Sequence, residues 1–114
     1  MQGRSIQGSG TASGGDGSLN VEKLTNDDLP YTATLSDGLI KVHNSTACVI
    51  TLPASPPPGK VLRIKAGATT SASAPITITA HGTDKIDGGS TFILSFSFSA
   101  LTLIFDGDQG WVIF

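Results

Sequence analysis

The chain has 114 residues, 39% of them hydrophobic and only 14% charged, with a net charge of −2. That length supports a single domain, and the charged fraction is well under the roughly 25% of an ordinary soluble protein. A slightly acidic chain without a local Lys/Arg cluster has no electrostatic footprint for a phosphate backbone, so no nucleic-acid partner is expected.

Composition also sets the class. Fourteen glycines, many Ser and Thr residues and few strong helix formers predict an all-β chain. The lone cysteine, Cys48, excludes an intramolecular disulfide and lies in the apolar run "ACVITL", where it reads as a small buried hydrophobe.

Residues 1–27 stand apart from the rest. "MQGRSIQGSGTASGGDGSLN" offers almost nothing to bury and reads as an extended Gly-rich N-terminal arm that gains order by lying along a partner chain. The start, "MQGRSIQGSG", has no apolar core of the kind a secretory signal needs, so folding in a reducing cytoplasm is expected. "VEKLTNDDLP" (21–30) is a short transition in which Asn26, Asp27 and Asp28 cap one helical turn and Pro30 ends it.

Residues 28–114 form the domain. Strands are predicted at 31–35, 39–44, 47–52, 60–66, 75–80, 91–98, 101–106 and 111–114. Turn signals separate them: Asp37-Gly38, "PASPPPG" (53–59), "SASA" (71–74), Asp87-Gly88-Gly89 and Asp106-Gly107. Such short strands without a helical window imply a compact β-sandwich, jelly-roll-like or small barrel domain.

The stretch "STFILSFSFSALTLIF" (90–105) has no charge, glycine or proline. Its Phe/Ser alternation has the period of a strand, so a membrane helix is excluded and no membrane partner is expected. Phe92, Leu94, Phe96 and Phe98 fall in one phase, and Leu101, Leu103 and Phe105 in another. The change of phase near Ser99 and Ala100 predicts a bulge or a tight reversal. As a monomer such strands leave apolar surface open, so Phe92, Leu94, Phe96, Phe98, Leu101 and Leu103 are the expected subunit interface.

Chemistry is sparse. His43 and His81 lack ligand-spaced partners for a metal. "DGDQG" (106–110) begins like a calcium loop but lacks the rest of one, and Asp84 and Asp87 are accounted for by turn chemistry. "NST" (44–46) fits a glycosylation acceptor but reads as a turn. Trp111 reads as a core residue, with sugar stacking the alternative. No nucleophile motif, metal set or phosphate loop is present, so neither enzyme activity nor a cofactor is expected.

The order of these segments carries a resemblance. "VITLPAS" (49–55), "GKVLRIKAG" (59–67), "ITITAHGTDKIDGGS" (76–90) and "LTLIFDGDQGWVIF" (101–114), led in by "LSDGLIKVHNST" (35–46), resemble a β-module recurrent in tailed-bacteriophage virion proteins. The resemblance implies a homotrimeric structural protein of a tail fibre, tailspike, head fibre or capsid decoration. An arm joined to one compact domain, with no shaft, suits decoration. The expected role is a trimeric capsid decoration (cement) or short head-fibre protein on the virion surface, assembled in the host cytoplasm. The expected partner is the major capsid protein, with Gln2, Arg4, Ile6, Gln7 and Leu19 as arm contacts. A tail component docking on a portal, adaptor or baseplate protein is the alternative. A glycan-binding module using Trp111, Tyr31 and the loop aspartates is the second alternative.

Overall fold

A computed structural model describes residues 19–108 and 110–114. The arm contacts Gln2, Arg4, Ile6 and Gln7 lie outside the described residues. Nine strands run in chain order: β1 (Val21–Leu24), β2 (Tyr31–Thr32), β3 (Leu39–Val42), β4 (Cys48–Thr51), β5 (Val61–Ala66), β6 (Ile76–Thr79), β7 (Thr91–Leu94), β8 (Ala100–Phe105) and β9 (Trp111–Ile113). A single 3-10 turn, Asn26–Asp28, interrupts them, closed by a reciprocal cap between Thr25 and Asp28.

The strands form two sheets, β1-β3-β5-β8-β9 and β2-β4-β6-β7. Through β6 the chain alternates between them, so β1, β3 and β5 stack in parallel in the first sheet and β2, β4 and β6 in the second. Each visit to both sheets is one coil of a short two-sided β-solenoid. The chain then reverses direction. β7 pairs antiparallel with β6, β8 with β5, and β9 with β8.

The all-β expectation therefore holds, while the winding differs from that of a jelly roll, whose neighbours pair antiparallel. Parallel neighbours need a long crossover, and here the crossover is itself a strand in the opposite sheet. Asp37-Gly38 shows the difference locally: it marks a corner between sheets. Only Asp87-Gly88 and Asp106-Gly107 turn the chain back on itself, with Asp87 at φ 47° and the two glycines at 84° and 82°.

Alternation explains the core. Inward residues of the first sheet align in rows such as Leu24–Val42–Ala66 and Ile40–Ile64–Leu101. In the second sheet Ile50 aligns with Ile78 and Phe92, and Cys48 with Ile76 and Leu94. These rows face one another in one cluster in which Ile40, Ile50, Leu62, Ile64, Ile76, Ile78 and Leu103 are fully buried. Each such side chain contributes about 1.5–3 kcal/mol by leaving water.

Two sequence expectations need correction. Val21–Leu24, inside the stretch given to the arm, is a strand of the sheet. Its Glu and Lys hide a half-buried alternation that ends in Leu24, a core residue. The strand predicted at 91–98 stops at Leu94. Residues 95–99 form the turn that carries the chain from the second sheet to the first. The backbone amide of Phe98 donates to the Gly67 carbonyl at 3.0 Å, and both the amide and the hydroxyl of Ser99 donate to the Phe96 carbonyl. The change of phase read near Ser99 and Ala100 is this crossing.

Candidate interaction surfaces

The expected interface residues separate into two sets. Leu94, Leu101 and Leu103 are 5%, 3% and 0% exposed and belong to the chain's own core, so they have no surface to offer a second subunit. Strand alternation alone could not separate one apolar face from another. Phe92, Phe96 and Phe98 are 37%, 76% and 60% exposed, and Ile93, which the phase argument set aside, is 55% exposed. Phe92 keeps its inward phase but sits on an edge strand, where no further strand covers it.

The turn holding Phe96 and Phe98 is fixed rather than loose. Phe98 has φ +61°, a left-handed conformation that is a steric outlier for an aromatic residue. The ammonium of Lys65 donates to the Phe98 carbonyl and lies 6.0 Å from its ring centroid. Together with the Gly67 bond, these contacts present two exposed rings on a hydrogen-bonded frame.

The outer faces of the two sheets differ in chemistry. On the second sheet Thr32, Thr51, Thr79 and Thr91 align in one row, and Val49, Thr77 and Ile93 in the next. No strand residue of that face is charged. On the first sheet Lys23, Lys41 and Lys65 align in one row, with Arg63 in the adjacent row beside Leu39 and Val21. The sequence reading found no Lys/Arg cluster because these cations lie far apart along the chain; the winding assembles one.

Leu19, the one described arm contact, is 49% exposed. The next residue is anchored. Its carbonyl accepts from the amides of Gly38 and Leu39 at 2.9 Å, and its side chain, Asn20 Nδ2, donates to Ser36 at 2.8 Å. Gly38 leaves room for this contact, since a Cβ there would lie 3.2 Å from Asn20 backbone atoms. The folded domain therefore holds the chain from residue 20 onward.

The remaining candidates take structural roles. His43 and His81 are exposed, and among the described residues no three His, Cys, Asp or Glu side chains converge for a metal. Cys48 is buried, and burial pushes its thiol pKa up. Asn44 of "NST" is fully buried: its amide donates to Thr46 and Ala74 carbonyls at 3.0 and 2.9 Å and accepts from Thr70 Oγ1 at 2.7 Å. Trp111 is 1% exposed and packs edge-on against Phe105 with centroids 5.5 Å apart, so no ring face is open for a sugar. A recess of about 230 Å³ beside it is lined by Asp87, Gly88, Asp106 and Val112. Among the described residues, no helix is long and apolar enough to cross a membrane.

No protein-family model matches the chain, and no curated protein matches it either.

Proposed function

We propose that this chain is a structural virion protein of a tailed bacteriophage, a homotrimeric capsid decoration (cement) or short head-fibre protein. The observation that carries the reading is the exposed apolar edge formed by Phe92, Ile93, Phe96 and Phe98. Rings this exposed on a fixed turn suit burial against other copies of the chain, where aromatic anchors supply most of the association energy. The uncharged threonine face of the second sheet continues from that edge and offers close packing without burying a charge. The ordered segment resemblance described above gives the trimer and the virion context.

In this reading residues 1–18, entering the domain at the anchored Asn20, reach across the shell. Binding only the mature shell stabilises it by mass action, and three arms per trimer reinforce one another through effective concentration. No catalytic step is involved.

The test is the copy number of this chain in purified particles, by quantitative mass spectrometry against the major capsid protein. Hundreds of copies in a simple ratio to the shell protein support decoration. A few dozen or fewer point to the alternative, a component docking on a portal, adaptor or baseplate. Absence from particles overturns the virion reading. Deleting residues 1–18, which leaves the Asn20 anchor intact, is expected to abolish particle binding while the trimer persists.

A further inference from the structure

The row Lys23–Lys41–Lys65 is an arrangement the fold has no internal reason to keep. Parallel neighbours place the three side chains directly beside one another on one face, about 4.8 Å apart from strand to strand. Like charges in that relation repel and weaken a sheet. Arg63, in the adjacent row of the same face, adds a fourth cation. Glu22, the one acid within the strands of this sheet, has the opposite phase and points away from that face. Among the described residues no carboxylate pairs with Lys23, Lys41 or Arg63. Lys23 and Lys41 are exposed, whereas Lys65 is half-buried and anchored by the Phe98 carbonyl at the end of the row.

We propose that this face binds an extended anionic polysaccharide running across the strands, with a carboxylate or sulfate on successive sugars meeting successive cations. The spacing selects the class. A linear acidic glycan carries one anionic group per sugar, at an interval close to the strand spacing. An acidic peptide in extended form presents same-side carboxylates at every second residue, roughly 6.6 Å apart, and falls out of step with the row. Single-stranded nucleic acid is bound along paths lined with stacking rings, and this row has one ring, Phe98, at its end. The flat face makes a charged track rather than a pocket, so recognition is electrostatic and salt-sensitive. The inference stands apart from the shell reading, which uses the opposite sheet and the arm.

The experiment is calorimetric titration of the full chain at low ionic strength with polygalacturonate, its fully methyl-esterified form, polyglutamate and poly-dT. Polygalacturonate is expected to bind, weakening as salt is added, and the esterified polymer is expected not to. K23Q/K41Q is expected to weaken binding about tenfold or more, while K85Q, a change far from the row, leaves it unaltered. Thermal melting of K23Q/K41Q is expected to match or exceed the parent, because the change relieves repulsion. Lack of binding, equal binding of the ester, or equal loss in K85Q overturns the proposal. Tighter binding of polyglutamate or poly-dT also overturns it and assigns the face to an acidic protein segment or a nucleic acid.

Discussion

The phenol of Tyr31 donates to the carboxylate of Asp37 at 2.8 Å, tying the start of β2 to the corner that precedes β3. Asp37 is 1% exposed. The same carboxylate oxygen accepts from the Thr34 amide at 2.9 Å, and Lys60 Nζ donates to the Asp37 carbonyl at 2.6 Å. This is a polar corner inside an apolar fold, and it requires every donor. Tyr31→Phe is expected to cost about 1–3 kcal/mol, because a buried carboxylate loses one of its hydrogen bonds. Burial, and then the bond to Asp37, push the phenol pKa well above its ordinary value. A folded-state pKa above the unfolded value means that the contribution is complete below about pH 10 and is lost as pH rises beyond it. Urea unfolding of both proteins should show the gap at pH 8 and its narrowing at pH 11.

Glu22 carries the opposite kind of interaction. Burial, followed by the negative charges of Asp37 and Asp28, raises its carboxyl pKa. The folded chain therefore binds this proton more tightly than the unfolded chain, and ionising Glu22 at neutral pH works against folding. Glu22→Gln is expected to raise the melting temperature at pH 7. The gain should vanish below the ordinary carboxylate pKa, where both states of the parent are protonated. An equal gain at both pH values would point to the amide's own hydrogen bonds instead.

Much of the fold was legible residue by residue. "VLRIKA" and "ITIT" alternate cleanly, and each is a strand with the predicted face inward. The alternation of "VEKL" is equally regular, but its Glu at an inward position resembles a loop until β3 supplies the neighbouring strand. The Phe/Ser repeat misled for the converse reason. Period two describes both a strand and two adjacent exposed positions of a turn, and only the need to cross between sheets decides. The winding was beyond local pattern, because a corner and a hairpin use the same Asp-Gly signal. Lys23 and Lys41 are 18 positions apart, and Lys41 and Lys65 are 24. Coils of unequal length leave no fixed period in the sequence from which their alignment could be read.

Asn44 fastens the corner after β3 to two loops of the next coil. Its amide reaches the Ala74 carbonyl, its oxygen accepts from Thr70, and its own carbonyl accepts from Thr69 Oγ1 at 2.5 Å. Solenoid coils interact mainly with their neighbours, so a fastener between corners carries a large share of their registry. Asn44→Ala leaves buried partners unsatisfied and is expected to cost about 2–4 kcal/mol. Asn44→Asp is expected to be as damaging, because a carboxylate cannot donate to Thr46 and Ala74. Denaturant midpoints measure both. A loss under 1 kcal/mol in Asn44→Ala would mean that water replaces the amide.

Phe98 combines an unfavourable backbone conformation with an exposed ring. Left-handed geometry costs a non-glycine residue about 1–2 kcal/mol, and the ring recovers nothing from the core of its own chain. Phe98→Gly relieves that strain. The greater freedom of glycine in the unfolded chain offsets part of the gain, so the stability of the isolated domain is expected not to fall. Self-association should respond differently. If Phe96 and Phe98 anchor the contact between copies, Phe98→Gly weakens it and Phe96→Ser/Phe98→Gly abolishes it. Light scattering after size exclusion would then report a mass near the 11.6 kDa of one chain, where the parent gives three times as much. An unstrained variant that still forms the parent's oligomer would move the interface away from this turn, leaving the threonine face of the second sheet as the surface to mutate next.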